Sequence, residues 1–576
     1  MIAMSVKRIL VLMISAPRFL VLAQSPGSLS NVSNGTVPIL NSTYDYIVVG
    51  GGASGLVVSE RLAETGQSVL VLERGGPSLF SSGGDALTSW NRSLTVYDVP
   101  ALFYQLPRWP EIYSACTDIP AGAAAACILG GGTAVNGLQF VRPPSFDFDR
   151  WPADWQWDNI KYSAARLYER NSGSTTPSVD GKHYDNDVWD VASKFFSLGG
   201  YKQVDTNEEP DSKYKVYSHP AVNTDRGYRA GPVRTYLPLA IARPNFSLQL
   251  HTKVVRAVRH KSKITGVEIE DAAGNRSIIN INPNGKVILA AGAMSSPRIL
   301  FNSGIGPADQ INTVKNGTSR VVLPAREDWI HSPIGLVRDH TIVIITFKVP
   351  GGTNVLNQTE FVNPSQDIID LYAHGSGPLT QSWNRLMAYS TVTNNDGHET
   401  FIQTHATGVQ NNTVQFLVAT TYNSTSLGSL GITREGNTEW TKNPYLESAS
   451  DKEAMAKAID ELLTISRLPG SPITYDGPAN STGASVLEIA LSGQDPNNIM
   501  IPGQHMTGTT IMGTDDGTKN GSSVVDPNCK VYGTGTVQLN NNASSRLTNA
   551  AQTISSSSMQ ACMPTYQRAI HKPLSW

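Results

Sequence analysis

The chain has 576 residues and a formal net charge of −2 at pH 7, with 40% hydrophobic and 16% charged residues. A chain of this length is too long for one hydrophobic core, so we expect two domains or two interleaved lobes. The small net charge gives no reason to expect a nucleic acid or an anionic membrane as a partner. The four cysteines form no C-x-x-C pair and no His/Cys cluster, so the sequence predicts no metal site.

The N-terminus predicts a secretory signal over residues 1–23. A basic pair precedes two apolar runs, residues 9–16 and 19–23, and the second run ends in V-L-A, a candidate cleavage site. Residues 24–43 are rich in Ser, Asn and Pro and predict a disordered leader. Frequent N-x-S/T sequons favour a secreted glycoprotein. No later segment approaches the roughly 18 apolar residues that would span a membrane.

Residues 44–76 predict a dinucleotide-binding βαβ unit. A buried β-branched strand leads into G-x-G-x-x-G at Gly50, Gly52 and Gly55, and a helix then leads to a second buried strand that ends before Glu73. Such glycines allow a tight turn, the approach of a pyrophosphate and close helix–strand packing, and the acid suits a ribose hydroxyl. The expected bounds are 46–49 for the first strand, 56–65 for the helix and 68–72 for the second strand.

Residues 128–137, ILGGGTAVNG, form a second glycine-rich segment. Taken alone, the segment is either a tight loop or a place where backbone and small polar groups meet a flat or anionic ligand. In an oxidising compartment Cys116 and Cys127 are the favoured disulfide because they close a short loop. Cys529 and Cys562 could form a second disulfide or remain two buried thiols.

The remaining elements predict an interleaved arrangement of two lobes. The first part of one domain covers 44–335, with substrate-side segments inserted around 150–230. A sheet-containing lobe covers 336–497, and the first domain returns at 498–576. The periodicity predicts strands at 247–258, 264–270, 285–291, 342–349, 400–405 and 413–419, and helices at 159–170 and 451–465.

Four separated parts of the chain resemble the glucose–methanol–choline (GMC) flavoprotein oxidoreductases, over about residues 44–570. These are GGGASG with ERGG, GGGTAVNG, the segment GAMSSPRILFNSGIG at 292–306, and HMTGTTIMG with VVDPNCKVYG. The third part fits the family's second sequence signature position by position. Within the family, RAGPVRTYL, IARPNF and the Cys116/Cys127 pair are most similar to the flavodehydrogenase domains of cellobiose dehydrogenases, without their haem domain.

The resemblance implies an α/β (α+β) fold, in which a Rossmann-like FAD-binding domain is interleaved with a sheet-containing substrate domain. It also implies FAD, held non-covalently because Asn136 stands about where some relatives attach the cofactor through a His. The residues implied to bind FAD are Gly50, Gly52, Gly55 and Glu73 for its ADP half, Val254 at the adenine, and Gly132, Thr133 and Asn136 along the flavin.

The family oxidises an alcohol by hydride transfer to flavin N5, while a base removes the hydroxyl proton. His505 matches the family's catalytic histidine, and Asn549 matches the second member of the catalytic pair. The chemistry of the two side chains agrees with these roles. An imidazole with a pKa near 6.5 suits proton abstraction, and an amide can orient a substrate oxygen.

Three departures from the family bear on function. Asn541 or Asn542 stands where relatives have an Asp near the flavin, which puts FAD affinity or redox potential in doubt, and Ala550 replaces the Pro that follows the second catalytic residue. Gly503–Gln504 and Met506 differ from the residues beside the base in cellobiose dehydrogenases, and both arginines of a neighbouring segment are missing. Cellobiose specificity is therefore not carried over.

These observations predict a secreted FAD-dependent enzyme that oxidises a sugar or another alcohol, with O₂, a quinone or a redox protein as electron acceptor. Two alternatives remain open. One is a non-redox lyase of the hydroxynitrile lyase type on the same fold. The other is a degenerate, non-catalytic member of the family, which the run Asn540–Asn542 motivates.

Overall fold

The computed structural model describes residues 43–535, apart from residues 105, 107–113, 357, 409 and 411. The predicted signal segment and nearly all of the leader lie outside the described residues. So do Cys562, Asn541 and Asn549, and the predictions for these residues stay predictions.

The described residues form nineteen β-strands and twelve α-helices. The strands are β1 (Thr43–Val49), β2 (Val69–Leu72), β3 (Lys202–Gln203), β4 (Val216–Ser218), β5 (Thr224–Asp225), β6 (Tyr228–Arg229), β7 (Phe246–Gln249), β8 (Lys253–His260), β9 (Lys263–Glu270), β10 (Arg276–Leu289), β11 (Leu336–Val337), β12 (Thr341–Lys348), β13 (Leu386–Thr393), β14 (Glu399–Gly408), β15 (Thr413–Tyr422), β16 (Gly428–Ile432), β17 (Thr438–Lys442), β18 (Thr474–Tyr475) and β19 (Asn498–Pro502). The helices are α1 (Ala53–Ala63), α2 (Gly132–Val135), α3 (Trp157–Arg170), α4 (Asp187–Leu198), α5 (Pro232–Thr235), α6 (Leu237–Ile241), α7 (Gly292–Asn302), α8 (Ala308–Lys315), α9 (Gln358–Val362), α10 (Gln366–Ala373), α11 (Ala449–Ser466) and α12 (Gly483–Ser492).

The first sheet has six strands in the order β7-β2-β1-β10-β9-β8. Its first four strands are parallel, and β9 and β8 continue it as an antiparallel ribbon. The four residues of β2, VLVL, are all buried, as expected for a parallel strand covered on both faces. Ligands of such sheets bind beyond the carboxyl ends of the strands, which here means the edge where β1 gives way to the glycine loop.

The sequence predicts one continuous strand over 247–258, and this prediction is wrong in part. His251 adopts a left-handed conformation with φ 54°, and its N–H donates to Gly75 O at 3.1 Å. The chain therefore turns between β7 and β8. Strand β7 joins the parallel strands, and β8 pairs with β9 as predicted.

The second sheet has eight strands and forms the core of the other lobe. The order is β18-β12-β15-β14-β13-β4-β3, and β19 pairs with β12. Buried residues of the sheet pack against α4, α11 and α12, with Phe195, Phe347 and Phe416 fully buried between them. Strands β3 and β4 come from the inserted segment around 150–230, and β19 begins at residue 498, so this sheet draws on three separate parts of the chain.

A disulfide closes a loop that packs beside the first sheet. Cys116 and Cys127 are bonded, which confirms the favoured pairing. Inside the loop, the carboxylate of Asp118 pairs with Arg74 at 2.8 Å, with Lys253 at 3.0 Å and with Arg298. These three cations follow β2, open β8 and lie on α7, so one carboxylate ties the loop to two strand ends of the first sheet and to one helix. Burial alone would raise the pKa of Asp118, but Arg298, Arg74 and Lys253 together outweigh it and hold this pKa well below its usual range.

Among the described residues, no helix is long and apolar enough to cross a membrane. In the same part of the chain, no group of His, Cys, Asp and Glu side chains could hold a metal ion.

We expect Asp118→Asn to lower the free energy of unfolding by about 3 kcal/mol at pH 7, because Arg298 stays buried without its anion. The folded pKa of Asp118 lies below its usual value of 3.8, so this stabilisation is present above about pH 4 and is lost as the pH falls through the folded pKa. Urea unfolding at pH 7 and pH 3 should show the difference between wild type and variant narrowing at the lower pH. Asp158→Asn, which removes an exposed ion pair with Lys161, is the control and should change stability by less than about 0.5 kcal/mol. Equal losses in the two variants would contradict the prediction.

Candidate active site

The first glycine loop crosses the carboxyl edge of the parallel strands between β1 and α1. A side chain at Gly55 would place its Cβ 1.9 Å from Gly50 O, so the glycine is required for α1 to lie against the end of β1. Gly52 differs, because its φ is −74° and a Cβ there would meet no atom within 4 Å. The open space over Gly52 lies at the first turn of an eleven-residue helix, where backbone N–H groups favour an anion.

Glu73 directly follows β2, and its carboxylate is hydrogen-bonded to the glycine loop. One carboxylate oxygen accepts the N–H of Gly51 at 2.7 Å, and the other accepts that of Gly75 at 2.8 Å. Burial raises the pKa of Glu73, while these two N–H groups oppose the rise. The predicted contact with a ribose hydroxyl stays a prediction, since each carboxylate oxygen retains a further acceptor position.

The second glycine-rich segment lies directly beside the first. Gly130 N–H donates to Gly51 O at 2.8 Å, and Gly52 and Gly130 form a parallel bridge. Thr133 Oγ donates back to Gly130 O at 2.7 Å, which holds the short helix α2 against the loop. A Cβ added at Gly132, like one at Gly52, would meet no atom within 4 Å. The structure therefore brings two of the predicted cofactor-binding segments together at one edge of the sheet.

Arg229 supports this segment and was not assigned a role from the sequence. The guanidinium is 2% exposed and donates to Tyr97 O, Thr133 O, Asn136 O and Asn136 Oδ1 at 2.9–3.1 Å. Burial lowers the pKa of Arg229 to about 9, although Asp98 opposes the shift. The arginine thus fixes the end of α2 and the amide of Asn136 from the side away from the glycines. Its place in the quoted segment RAGPVRTYL is the only sequence signal that could have pointed to it.

Val254, the predicted adenine contact, is buried at the start of β8 among Val49 and Leu72. The chain reaches it through Thr252, whose N–H donates to Glu73 O at 2.9 Å. Val254 therefore lies on the same side of the fold as Glu73.

His505 lies beyond β19, on a turn that a buried carboxylate holds. Asp339, 6% exposed, accepts the N–H of His505 at 2.7 Å on one oxygen and the N–H of Gln504 at 3.1 Å on the other. Burial raises the pKa of Asp339 to about 6 against these hydrogen bonds. Gln504 has φ 62°, and its side-chain amide bonds Ala124 N and Gly122 O of the disulfide loop at 2.6 and 3.0 Å.

The segment after His505 returns to the edge of the first sheet. Thr509 Oγ donates to Ala293 O at 2.7 Å, in the first turn of α7 directly after β10. Because β1 and β10 are neighbouring parallel strands, the glycine loop and this segment share one edge. The His505 side chain is exposed, yet enough protein surrounds its ring that burial lowers its pKa.

Two further histidines accompany His505, and neither was predicted from the sequence. His340 Nδ1 lies 3.1 Å from His505 Nδ1, and His340 Nε2 lies 2.9 Å from Thr421 O. His405, on β14, contacts Asn384 Nδ2 at 3.0 Å and is close enough to interact electrostatically with His505. Burial is the main reason that the pKa of His340 falls to about 3 and that of His405 to about 4. The only sequence signal was an Asp-His pair directly before the strand that opens the second lobe.

The sequence matches the models of one known protein family. Residues 44–335 match the N-terminal family model of the GMC oxidoreductases, and residues 433–540 match the C-terminal one. The chain belongs to the GMC oxidoreductase family. The predicted fold class and the prediction of an oxidoreductase are therefore confirmed.

Two GMC relatives show how far the likeness extends. An uncharacterised GMC-type oxidoreductase of Rhodococcus erythropolis is 28% identical over 361 residues, which cover 60% of this chain and 67% of the relative. A glucose dehydrogenase (FAD, quinone) of Drosophila melanogaster is 28% identical over 299 residues, 47% of this chain and 45% of the relative. The chain thus matches less than half of the second relative's length.

Among solved structures, pyridoxine 4-oxidase from Mesorbium loti superposes with a TM-score of 0.61 at 19% identity, covering 89% of this chain and 98% of that one. This likeness shows the GMC fold. FAD, the cofactor of these flavoproteins, fits the residues present here. Gly52 and Gly132 leave open space on adjacent segments, and an acidic side chain and helix N–H groups stand beside it.

We expect Gly52→Ser to weaken FAD binding roughly tenfold or more while leaving the fold intact, because the new side chain fills the open space. Serine is a favoured N-cap residue at this backbone conformation, so the melting temperature of the FAD-free protein should not fall. FAD affinity is measured by titrating the FAD-free protein and following flavin fluorescence. Gly351→Ser is the control, since Gly351 also has no neighbouring atom within 4 Å but lies away from the glycine loops. Wild-type affinity in Gly52→Ser would contradict the assignment.

Proposed function

We propose that this chain is an FAD-dependent enzyme that oxidises the CH–OH group of a sugar or another alcohol, with His505 as the base. The observation that carries this proposal is the position of His505. Its side chain is exposed and contacts His340 at the start of a second-sheet strand, and the segment that follows it is bonded to the edge that holds both glycine segments. A base at that place can reach a hydroxyl held between the lobes.

The side chains around His505 suit an alcohol substrate. Burial disfavours the charged imidazolium, so His505 is neutral and has a lone pair at neutral pH. The hydroxyl proton passes to this lone pair as the C–O bond becomes a carbonyl. When bound, FAD supplies the acceptor for the hydride that leaves the same carbon. We assign Asn549 to orienting the reacting oxygen.

We further propose that FAD is held non-covalently. Asn136 has no nucleophilic atom, and its Oδ1 accepts hydrogen bonds from Arg229 and from Leu138 N. For the acceptor of the electrons, O₂, a quinone or a redox protein are the candidates. The substrate is a sugar or another alcohol, and cellobiose is not singled out because the residues beside the base differ from those of cellobiose dehydrogenases.

Secretion as a glycoprotein is also proposed. The signal-like N-terminus and the density of sequons support it, and so does the Cys116–Cys127 disulfide, because such bonds form in oxidising compartments. Glycosidase treatment of protein recovered from the culture medium of a eukaryotic host should increase its gel mobility. A chain that stays inside the cells and carries no glycans would refute the proposed secretion.

The function is tested by visible absorbance of the purified protein, before and after anaerobic addition of D-glucose, cellobiose or benzyl alcohol. We expect flavin bands that bleach with one of these alcohols. His505→Gln should keep the bands and slow bleaching by roughly 10²- to 10⁴-fold, because the general base is lost. His260→Gln, an exposed histidine at the end of β8, is the control and should bleach normally. A colourless protein that takes up no FAD would support a degenerate homologue, and turnover without bleaching would support a lyase.

The pH dependence of kcat/KM provides an independent prediction. Because burial lowers the pKa of His505 below 6.5, the base stays unprotonated as the pH falls to 6.5, and the acidic limb should have its midpoint below that value. The groups that face His505 are Asp339, His340 and His405, and burial keeps the two histidines neutral over this range. Rates with the oxidised alcohol between pH 4 and pH 9 check the prediction. A midpoint above pH 7 would contradict it.

A further inference from the structure

The histidines at 340 and 505 face each other because two strands pair. His340 directly precedes β12, and His505 follows β19 by three residues. The antiparallel register places Thr341 opposite Pro502, and Gly503 N–H donates to His340 O at 2.8 Å. The rings meet edge to face, with centroids 5.1 Å apart and planes at 69°. Asp339 fixes the backbone of His505 from the same strand end.

The hydrogen bonds of this pair leave one arrangement of protons. Thr421 O is a carbonyl oxygen and can only accept, so His340 Nε2, 2.9 Å away, carries a proton and donates it. A neutral imidazole has one N–H and one lone pair, so His340 Nδ1 has the lone pair. His505 Nδ1, at 3.1 Å, must then carry the proton of their hydrogen bond. The lone pair of neutral His505 is left on Nε2.

The geometry points to His340 as a positioning residue that fixes the tautomer of His505, so that His505 Nε2 is the nitrogen that accepts the substrate's hydroxyl proton. The role of His505 Nε2 as proton acceptor rests on the function proposed above, whereas the tautomer of His505 does not depend on that function. Burial keeps His340 neutral, so its lone pair is present throughout the range in which His505 works.

The direction of proton transfer follows from where the chain of hydrogen bonds ends. After the O–H bond of the alcohol breaks, the proton forms a bond with His505 Nε2, and Nδ1–H still donates to His340. Thr421 O cannot take up a proton, so the proton does not pass through His340 to the protein interior. It leaves again from Nε2, the ring nitrogen that does not contact His340.

The tautomer can be measured without a substrate. FAD-loaded protein labelled with ¹⁵N in histidine only is studied by NMR at pH 8, and the His505 signals are assigned by their absence in His505→Gln. We expect a proton on His505 Nδ1 and none on Nε2. A proton on Nε2 would overturn the proposal, whether or not the protein oxidises alcohols.

Two substitutions of nearly equal size test the consequence for catalysis. His340→Asn retains an oxygen acceptor near the position of Nδ1, whereas His340→Leu has none. With whichever of D-glucose, cellobiose and benzyl alcohol bleaches the wild-type flavin, we expect His340→Leu to slow anaerobic bleaching roughly tenfold or more with little change in KM, because the competing tautomer becomes populated. In His340→Leu the acidic limb of kcat/KM should move to lower pH, since the imidazolium of His505 loses its hydrogen-bond acceptor. His340→Asn should stay within about threefold of wild type.

The outcomes separate the two proposals. Absence of bleaching in wild-type protein would refute the proposed function and leave the NMR result to decide the tautomer. Bleaching that needs His505 but is equally fast in His340→Leu would overturn the role of His340 alone. If His340→Leu fails to retain FAD or to fold, the NMR measurement on wild-type protein decides.

Discussion

The turn that carries His505 depends on the Asp339 carboxylate, which accepts hydrogen bonds from two successive backbone N–H groups. Gln504 has a left-handed backbone, which costs a non-glycine residue roughly 1–2 kcal/mol. Each hydrogen bond to a charged acceptor contributes about 1.5–3 kcal/mol, so two such bonds outweigh the strain. The same turn aims the His505 ring at its neighbour and presents the Gln504 amide to the disulfide loop. One buried carboxylate therefore positions the contact between the rings of His505 and His340 and the two hydrogen bonds of the Gln504 amide.

The cofactor side uses the same device. Glu73 accepts hydrogen bonds from the N–H groups of Gly51 and Gly75, which follow the neighbouring strands β1 and β2, much as Asp339 accepts from the turn at His505. In both places a buried acid replaces regular secondary structure as the partner of loop N–H groups, which burial would otherwise leave without acceptors. The loops on the two sides of the site are thus shaped by carboxylates that come from distant strand ends.

The parts of the site that were predictable are those encoded over short distances. The βαβ unit is found within three residues of its expected bounds, because a strand, a glycine turn and a helix each have a local pattern. The disulfide was predictable for the same reason. The break at His251 was not, because a left-handed histidine between two apolar strands has no pattern of its own. His340, His405 and Arg229 act through partners far along the chain, and no local period reveals such contacts.

The pairing of β12 with β19 has a consequence for how the protein is made. All six strands of the cofactor-binding sheet lie between residues 43 and 289, whereas His505 follows its ring partner by 165 residues. During synthesis from the N-terminus, the glycine segments and Glu73 emerge long before the segment that carries His505. Domains generally fold as units as they emerge, and non-local pairing is slow. The glycine segments are therefore available to fold first, and His340 and His505 meet only when the last strand of the second sheet has been added.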